Sequence, residues 1–342
     1  MNPLVSVLIP AYNAERWIRE TLASAVDQDY PRIEVILVND GSTDRTAEVA
    51  SQFARRNVKI INQANAGGPA ARNTALQHAQ GDYIQWLDHD DLLAPDKISR
   101  QLHKADTTND RLLLCGPFGV FYYRPEKAKF RGGPLCRDMQ PVEYFLTKFS
   151  GNTYFQSGSW LVSRKLTGLA GPWWNLRSPD DDGEYFCRVV AASERIQFVP
   201  EAKSYWRVGN SGSFSGAWKK SPAALEAAYQ STVRCIEHFR RLEDSERTRK
   251  ACVKFLQDRM IYFYPDSGGI LERMGGLAAE LGGSLRPPPL SWKYQPVREV
   301  FGWSAAKRVA IIAPGLRVSV VRAWDRFWYQ AGAGRGIAAQ AR

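Results

Sequence analysis

The chain has 342 residues, 44% hydrophobic and 24% charged, enough for one large domain plus an appendage or for two modest domains. It carries no long low-complexity run and no fixed-period repeat, which excludes wholesale disorder. The formal net charge is +11, and residues 285–342 hold ten basic against two acidic residues, so most of the excess sits in the last sixth of the chain. Such a segment attracts anionic lipid, nucleic acid or an acidic partner.

Met1-Asn2-Pro3 supplies no basic leader, and the apolar run at 4–9 is too short for a signal-peptide core. The five cysteines are scattered, with no CxxC pair, and read as free, mostly buried thiols of a reducing compartment; a cytoplasmic location is expected.

Residues 5–9 predict a short strand ended by Pro10. Asn13 predicts the cap of a helix running to about residue 28, with Trp17, Ile18, Leu22, Ala25 and Val26 on its apolar side. A buried strand follows at 33–38. Ser42, Thr43 or Asp44 then caps a helix reaching about residue 55, and a third strand spans 58–61. Pro69 marks a helix start, Gly81 its stop, and 83–87 reads as a fourth strand. Strands separated by single helices imply βαβ units and a mainly parallel sheet. In such sheets ligands bind beyond the carboxyl ends of the strands. That rule gathers Tyr12, Asp40, the 62–68 loop and the 88–91 turn on one rim.

Beyond residue 111 short apolar stretches at 112–115, 159–162 and 197–199 alternate with glycine, proline and aromatics. Residues 222–260 read as helical and 285–289 as a linker. The domain reading is a catalytic unit at 1–215, with a nucleotide-binding half at 1–110 and an acceptor half at 111–215. A helical region at 216–285 and a basic, tryptophan-rich tail at 286–342 follow.

Five clusters have the composition of chemistry. Asp88-His89-Asp90-Asp91 sets three carboxylates in four residues, which repel unless a cation or solvent compensates. After a buried strand they suit Mg²⁺ or Mn²⁺ completed by diphosphate oxygens; an acidic turn capping the next helix is the plainer alternative. Asp40, at a strand end, suits a base or ribose, or merely a turn and a helix cap. Tyr12 suits stacking on a base, or a place in the core. Gly67-Gly68 before a helix start, with Arg72 one turn in, suits phosphate. No GxGxxG follows the first strand, and no GxxxxGK[ST] loop exists. Asp180-Asp181-Asp182-Gly183-Glu184 suits a general base, or simply an acidic helix start.

In this order the clusters resemble the family 2 glycosyltransferases. The likeness covers residues 5–215 and rests on Pro10-Ala11-Tyr12-Asn13, Val38-Asn39-Asp40-Gly41-Ser42-Thr43-Asp44, Gly67 through Arg72-Asn73, Gly81-Asp82-Tyr83-Ile84 and Leu87-Asp88-His89-Asp90-Asp91. It implies the α/β nucleotide-sugar fold called GT-A, with a mainly parallel central sheet and here a C-terminal helical extension. It also implies a donor site: Tyr12 and Asp40 on the nucleobase, usually uracil, with Pro10 beside them and Arg72 anchoring the nucleotide. Asp88 and Asp90 would be the DxD pair, Asp88 nearer the ribose and Asp90 on the Mn²⁺ or Mg²⁺, supported by Asp91. The family's Glu-Asp pair falls on Asp181-Asp182, which makes Asp182 the expected base of an inverting transfer, with Asp181 second, and Arg188 the arginine six residues on.

One departure stands out. Where many members have a histidine after Tyr-Arg, this chain reads Trp206-Arg207-Val208-Gly209-Asn210-Ser211. Gly209 fills the histidine slot, and Asn210, Ser211 or Arg207 are the candidates to replace it. A dinucleotide-dependent oxidoreductase is disfavoured by Pro10-Ala11-Tyr12-Asn13 standing where a glycine-rich turn belongs. A scaffold that kept the fold but lost catalysis is disfavoured by an intact DxD and an available base. The expected partners are a nucleotide sugar, a UDP-sugar first, and a glycan or lipid-linked acceptor. No nucleic acid is expected, since the tail lacks its motifs. The apolar stretch at 308–321 is too short and broken to span a bilayer. With its tryptophans and arginines it suits an anionic membrane surface, or else packing on the catalytic domain or a dimer contact.

Overall fold

The computed structural model describes residues 2–54, 57–106, 108–151, 153–176, 178–209, 221–265, 267–289 and 291–336. Its first hundred residues form β1 (Val5–Ala11), α1 (Ile18–Val26), β2 (Ile33–Asp40), α2 (Thr46–Ser51), β3 (Val58–Gln63), α3 (Gly68–His78) and β4 (Tyr83–Trp86). All three pairings among these strands are parallel, with Leu8 opposite both Ile36 and Trp86. Alternation sets the two faces. Val5, Val7 and Ile9 pack with Ile18, Leu22 and Ala25 of α1, while Leu8, Ile36 and Val38 pack with Ala71 and Ala75 of α3 on the other side.

Both β1 and β2 run two residues past the strands read from sequence. Pro10, which has no N–H to give, lies beyond the last β4 pairing at Leu8. Asn13 is not the cap of α1. It sits at φ 47°, and its side-chain oxygen accepts from the Thr43 amide at 2.8 Å, tying the turn after β1 to the turn after β2. The next cap is displaced as well: Arg45 stands at the cap of α2 with no side-chain cap bond, and Asp44, one residue earlier, accepts from the Thr46 amide at 3.0 Å.

The chain continues through β5 (Leu92–Leu93), α4 (Lys97–Lys104), β6 (Leu112–Cys115), β7 (Phe118–Phe121), β8 (Lys129–Phe130), α5 (Pro141–Gly151), β9 (Trp160–Ser163), α6 (Arg164–Ala170), α7 (Asp181–Ala192), β10 (Arg195–Phe198) and β11 (Ser204–Arg207). Strands β10, β6 and β9 extend the main sheet to seven strands in the order β10-β6-β9-β4-β1-β2-β3, with β9 antiparallel to both neighbours. A second sheet, β5-β11-β7-β8, stands beside it. Its strands of two to four residues left little pattern in the sequence.

Helices α8 (Pro222–Leu242), α9 (Glu246–Phe263) and α10 (Gly268–Glu280) follow. The sequence suggested one helix over 222–260. It breaks instead at Ser245, whose hydroxyl accepts from the Thr248 amide and starts α9. These helices share one core with the sheet: Phe145 stacks on Phe239 at 4.9 Å and Phe149 on Phe255 at 3.9 Å. The boundary expected at 215 falls outside the described residues. Residues 281–289 carry no regular structure, and the Arg286 amide and carbonyl are both bonded to the Gln257 side chain of α9 at 2.8 Å. The last element, α11 (Gln295–Gly336), is helical but for a break at Gly302. Among the described residues no helix is long and apolar enough to cross a membrane. All five cysteines are free and four are buried.

Candidate active site

The parallel strands deliver their last residues to one rim, and Asp40 organises its first part. The carboxylate is 2% exposed and accepts from the amides of Ala66 (2.9 Å) and Gly67 (2.8 Å) and from the Gln63 side chain (2.7 Å). Its own carbonyl receives the Asn65 side chain at 2.9 Å. Gly41 makes this closure possible: φ is +69°, and a Cβ there would stand 2.7 Å from the Asn65 nitrogen. Asp40 therefore does work the sequence did not reveal, clamping the loop that leads into α3. Tyr12, next on the rim, is 46% exposed and so is not a core residue. Pro10, two residues before it, is buried in β1.

Arg72 bridges the two halves. Its guanidinium donates to Asp88 at 2.9 Å and to Asp181 at 2.8 Å, over the face of Trp173 at 4.4 Å. The next residue, Asn73, holds Trp173 in place by donating to its carbonyl (2.8 Å) and accepting from its amide (2.7 Å). The Gly171-Pro172-Trp173 segment is thus the floor beneath the arginine. Arg188 pins that floor to α7, pairing with Glu184 through two 2.9 Å bonds and donating to the carbonyls of Ala170 and Pro172.

The acidic turn after β4 is strung on Arg207. Asp91 is 1% exposed and accepts from the Arg207 amide at 2.8 Å, while the Arg207 guanidinium donates to the Asp90 carbonyl at 2.8 Å. The same side chain pairs with Glu20 of α1 at 2.7 Å and lies over Trp17 at 3.9 Å. Burial, then the charges of Asp90 and Asp88, push the Asp91 carboxyl well above its ordinary range. Its second oxygen is buried with no hydrogen-bond partner among the described residues. Arg207 is therefore already committed to the turn, which argues against it as the stand-in for the family histidine.

Across the cleft, the first turn of α7 carries Asp181 and Asp182. Burial and the neighbouring charges of Asp180, Asp181 and Asp88 push the Asp182 carboxyl up to about 7, with Arg72 pulling against them. Asp181 is raised as well, chiefly by burial, but it is ion-paired to Arg72 and Asp182 is not. Asp182 spends one oxygen on the amide of Gly183. A carboxylate that takes up a proton near neutrality, close to the acidic turn, has the properties of a general base.

The tail reaches this site. Asp325 of α11 accepts from the Tyr123 amide (2.9 Å) and pairs with Arg124 at 2.6 Å. Tyr329 donates to Glu20, the partner of Arg207, and its ring lies 5.8 Å from that of Tyr123. Gly209 sits at φ +86°, where a Cβ would meet Arg322 of α11 at 3.3 Å and Tyr122 at 3.4 Å. The histidine slot thus borders an arginine from the tail. Asn210 and Ser211, the other candidates for that role, lie outside the described residues. Sequence reading missed Glu20, Tyr123 and Tyr329, which carry no motif of their own.

A family model described as Glycosyl transferase family 2 matches residues 6–167. An uncharacterized glycosyltransferase of Haemophilus influenzae is 30% identical over 226 residues, which are 64% of this chain and 85% of that one. A putative glycosyltransferase of Bacillus subtilis, EpsH, is 38% identical over 248 residues, covering 71% and 72% of the two chains. The solved structure of residues 1–349 of S. aureus TarS, in complex with UDP-GlcNAc, superposes with a TM-score of 0.64 at 18% identity over 91% of this chain and 92% of that chain.

Proposed function

The chain belongs to glycosyl transferase family 2 and has the GT-A fold, and from that premise we propose that it is an inverting transferase using a nucleotide-diphosphate sugar, a UDP-sugar first. The likeness to TarS, which was solved with UDP-GlcNAc, supports that choice of donor. One observation carries the reading. Arg72 joins the acidic turn of the first half to the α7 start of the second, beside a carboxyl raised to about 7.

The donor would lie along the rim, its base against Tyr12 and Pro10, above the loop that Asp40 closes. Arg72 would exchange a carboxylate for the nucleotide's anionic groups. The acidic turn fits a divalent cation: three clustered acids, one with an unpartnered buried oxygen, need positive charge. Among the described residues no three protein groups form a metal cage of their own. Mn²⁺ or Mg²⁺ would be held by Asp90 and Asp88 and completed by the donor's phosphates. Such an ion, when bound, supplies charge neutralisation of the departing diphosphate.

The protein's own step falls to Asp182. It takes the proton of the acceptor hydroxyl as that oxygen attacks the anomeric carbon and the bond to the nucleoside diphosphate breaks. The configuration inverts, and no sugar–enzyme bond forms. The class of product that fits is a cell-surface glycan or polysaccharide, made at the cytoplasmic side.

The test is slow hydrolysis of UDP-sugars without acceptor, measured with Mn²⁺ and again after chelation, alongside thermal shift with UDP-, GDP- and dTDP-sugars. Hydrolysis that depends on the cation and is matched by stabilisation from one donor is expected. Asp90→Ala should lose the metal-dependent part of donor binding. Equal thermal shifts with and without metal, in both proteins, would remove Asp90 from the site.

A further inference from the structure

Two arginines from distant parts of the chain converge on one oxygen. Arg322 of α11 and Arg16, just ahead of α1, both donate to the Tyr123 hydroxyl. Burial raises that phenol, but the two hydrogen bonds and the two charges outweigh it, and the group is lowered. The Arg16 guanidinium lies 5.2 Å from the centroid of the Tyr123 ring and 4.5 Å from that of Trp17. Arg322 runs past Gly209, where a Cβ would stand 3.3 Å from its Cδ and 3.4 Å from its Nε. The glycine thus leaves the space that the arginine side chain uses.

Both arginines lack an acid. The carboxylates best spaced to answer them are Glu20, four residues after Arg16, and Asp325, three after Arg322. Each is committed elsewhere. Glu20 pairs with Arg207 at 2.7 Å and accepts from Tyr329. Asp325 pairs with Arg124 at 2.6 Å and accepts from the Tyr123 amide at 2.9 Å. Among the described residues neither Arg16 nor Arg322 forms an ion pair. Arg16 is exposed and Arg322 half-buried, so the two charges open to solvent. Like charges drawn to one phenol oxygen repel, and an anion placed between them relieves that repulsion.

The pair stands one side chain from the acidic turn. Arg207 donates to the Tyr123 carbonyl at 3.4 Å and to the Asp90 carbonyl at 2.8 Å. Arg16 follows Tyr12, where the base would lie, by four residues. The corner between base and cation is where a donor's diphosphate belongs, and guanidinium forks match its oxygens. We propose that Arg16 and Arg322 bind the diphosphate of the nucleotide sugar, so that the tail supplies a residue of the donor site. The assignment rests on the nucleotide-sugar reading and deepens it. A divalent cation shared with Asp88 and Asp90 leaves diphosphate charge to be met, and that charge grows as the nucleoside diphosphate departs. The two arginines meet it.

The experiment uses the full chain and calorimetric titration with UDP and uridine, each in Mn²⁺ and in EDTA, and with inorganic pyrophosphate in EDTA. Arg322→Gln should weaken UDP and pyrophosphate at least about tenfold, the weight of one charged hydrogen-bonded contact, and leave uridine, which has no diphosphate, unchanged. The loss should persist in EDTA, because the contact needs no cation. Arg16→Gln, at an exposed site, should act in the same direction, and Arg322→Lys should restore part of the loss. Arg326→Gln removes an exposed charge one turn further along α11 and controls for the general field of the tail; a change under about twofold is expected. Unchanged UDP affinity in both the Arg322 and the Arg16 variant would overturn the proposal. So would equal losses for UDP and uridine, which would make Arg322 a brace of the fold, or a loss confined to Mn²⁺, which would place its effect in the acidic turn. An equal loss in the Arg326 variant would do the same. A wild-type chain that binds no UDP sinks the donor reading and this assignment with it; UDP binding indifferent to both arginines sinks the assignment alone.

Discussion

The two sides of the cleft are held by different kinds of contact. On the rim of the parallel strands, Asp40 and its partners lie 23 to 27 residues apart, within two consecutive strand–helix units. Around α7 and the acidic turn the ties are long: Arg72 to Asp181 spans 109 residues, the Arg207 amide to Asp91 116, and Tyr329 to Glu20 309. A local clamp forms as soon as its βαβ unit does, because little loop entropy opposes it. The long ties form only when the second sheet and α11 dock. The rim around Asp40 is thus built into the sheet, whereas the α7 side and the acidic turn depend on completed tertiary structure.

The largest expected effect falls on the chemistry. Asp182→Asn keeps the side chain's shape and removes the proposed proton acceptor. Transfer should drop by about 10²–10⁴, the usual weight of a general base, while UDP affinity changes by less than about threefold. Wild-type turnover in this variant would move the base elsewhere, Asp181 being next.

Stability tests the long ties directly. Arg207→Met removes a fully buried guanidinium that pairs with Glu20 and binds the Asp90 carbonyl. Breaking a buried pair from one side costs about 3–5 kcal/mol, read as a lower denaturant midpoint. Gln63→Leu, on the local side, removes one of three bonds to Asp40 and should cost about 1 kcal/mol. Equal losses in the two variants would erase the contrast.

The pH profile should show which side sets the base. Because the Asp182 carboxyl sits at about 7, its ionised fraction, and with it transfer, rises through neutral pH and levels off above about 8. The Arg72 charge pulls it down, so Arg72→Gln should move the rising limb to higher pH. A limb that stays in place would mean that another group controls it.

The same division explains what was legible in the sequence. The strand–helix alternation of residues 5–87 follows from local periodicity and turn chemistry, so those elements and the rim bearing Tyr12, Asp40 and Asp88 could be located in advance. Asn13 was misread because a residue able to cap a helix is equally suited to a left-handed turn, and its partner Thr43 is 30 residues away. The small sheet escaped because β5 and β8 are two residues each. Asp40 was given a ligand-facing role because a strand-end carboxylate looks the same whether it meets a base or the amides of the next loop. The tail suggested either a membrane surface or packing on the domain. Asp325 and Tyr329 pack on it, and the exposed face of Trp324, Phe327 and Trp328 is still free to meet a lipid.

The smallest expected effect is the most discriminating, because it asks whether the tail influences the cleft at all. Tyr329→Phe removes one hydroxyl, the donor to Glu20. Glu20 then keeps its pairing with Arg207 but loses the contact that orients it, at a cost of about 1 kcal/mol. If the series Tyr329, Glu20, Arg207 and Asp90 positions the acidic turn, the loss should appear as a two- to fivefold rise in the metal concentration needed for donor binding, or about 0.4–1 kcal/mol. Turnover at saturating metal should hold. Asp325→Ala provides the contrast, since it loosens α11 at Tyr123 and Arg124 without touching Glu20. It should lower stability while leaving the metal dependence nearer to wild type. The same metal dependence in both variants would show that α11 acts only as a brace, and that the acidic turn needs nothing from the tail beyond its presence.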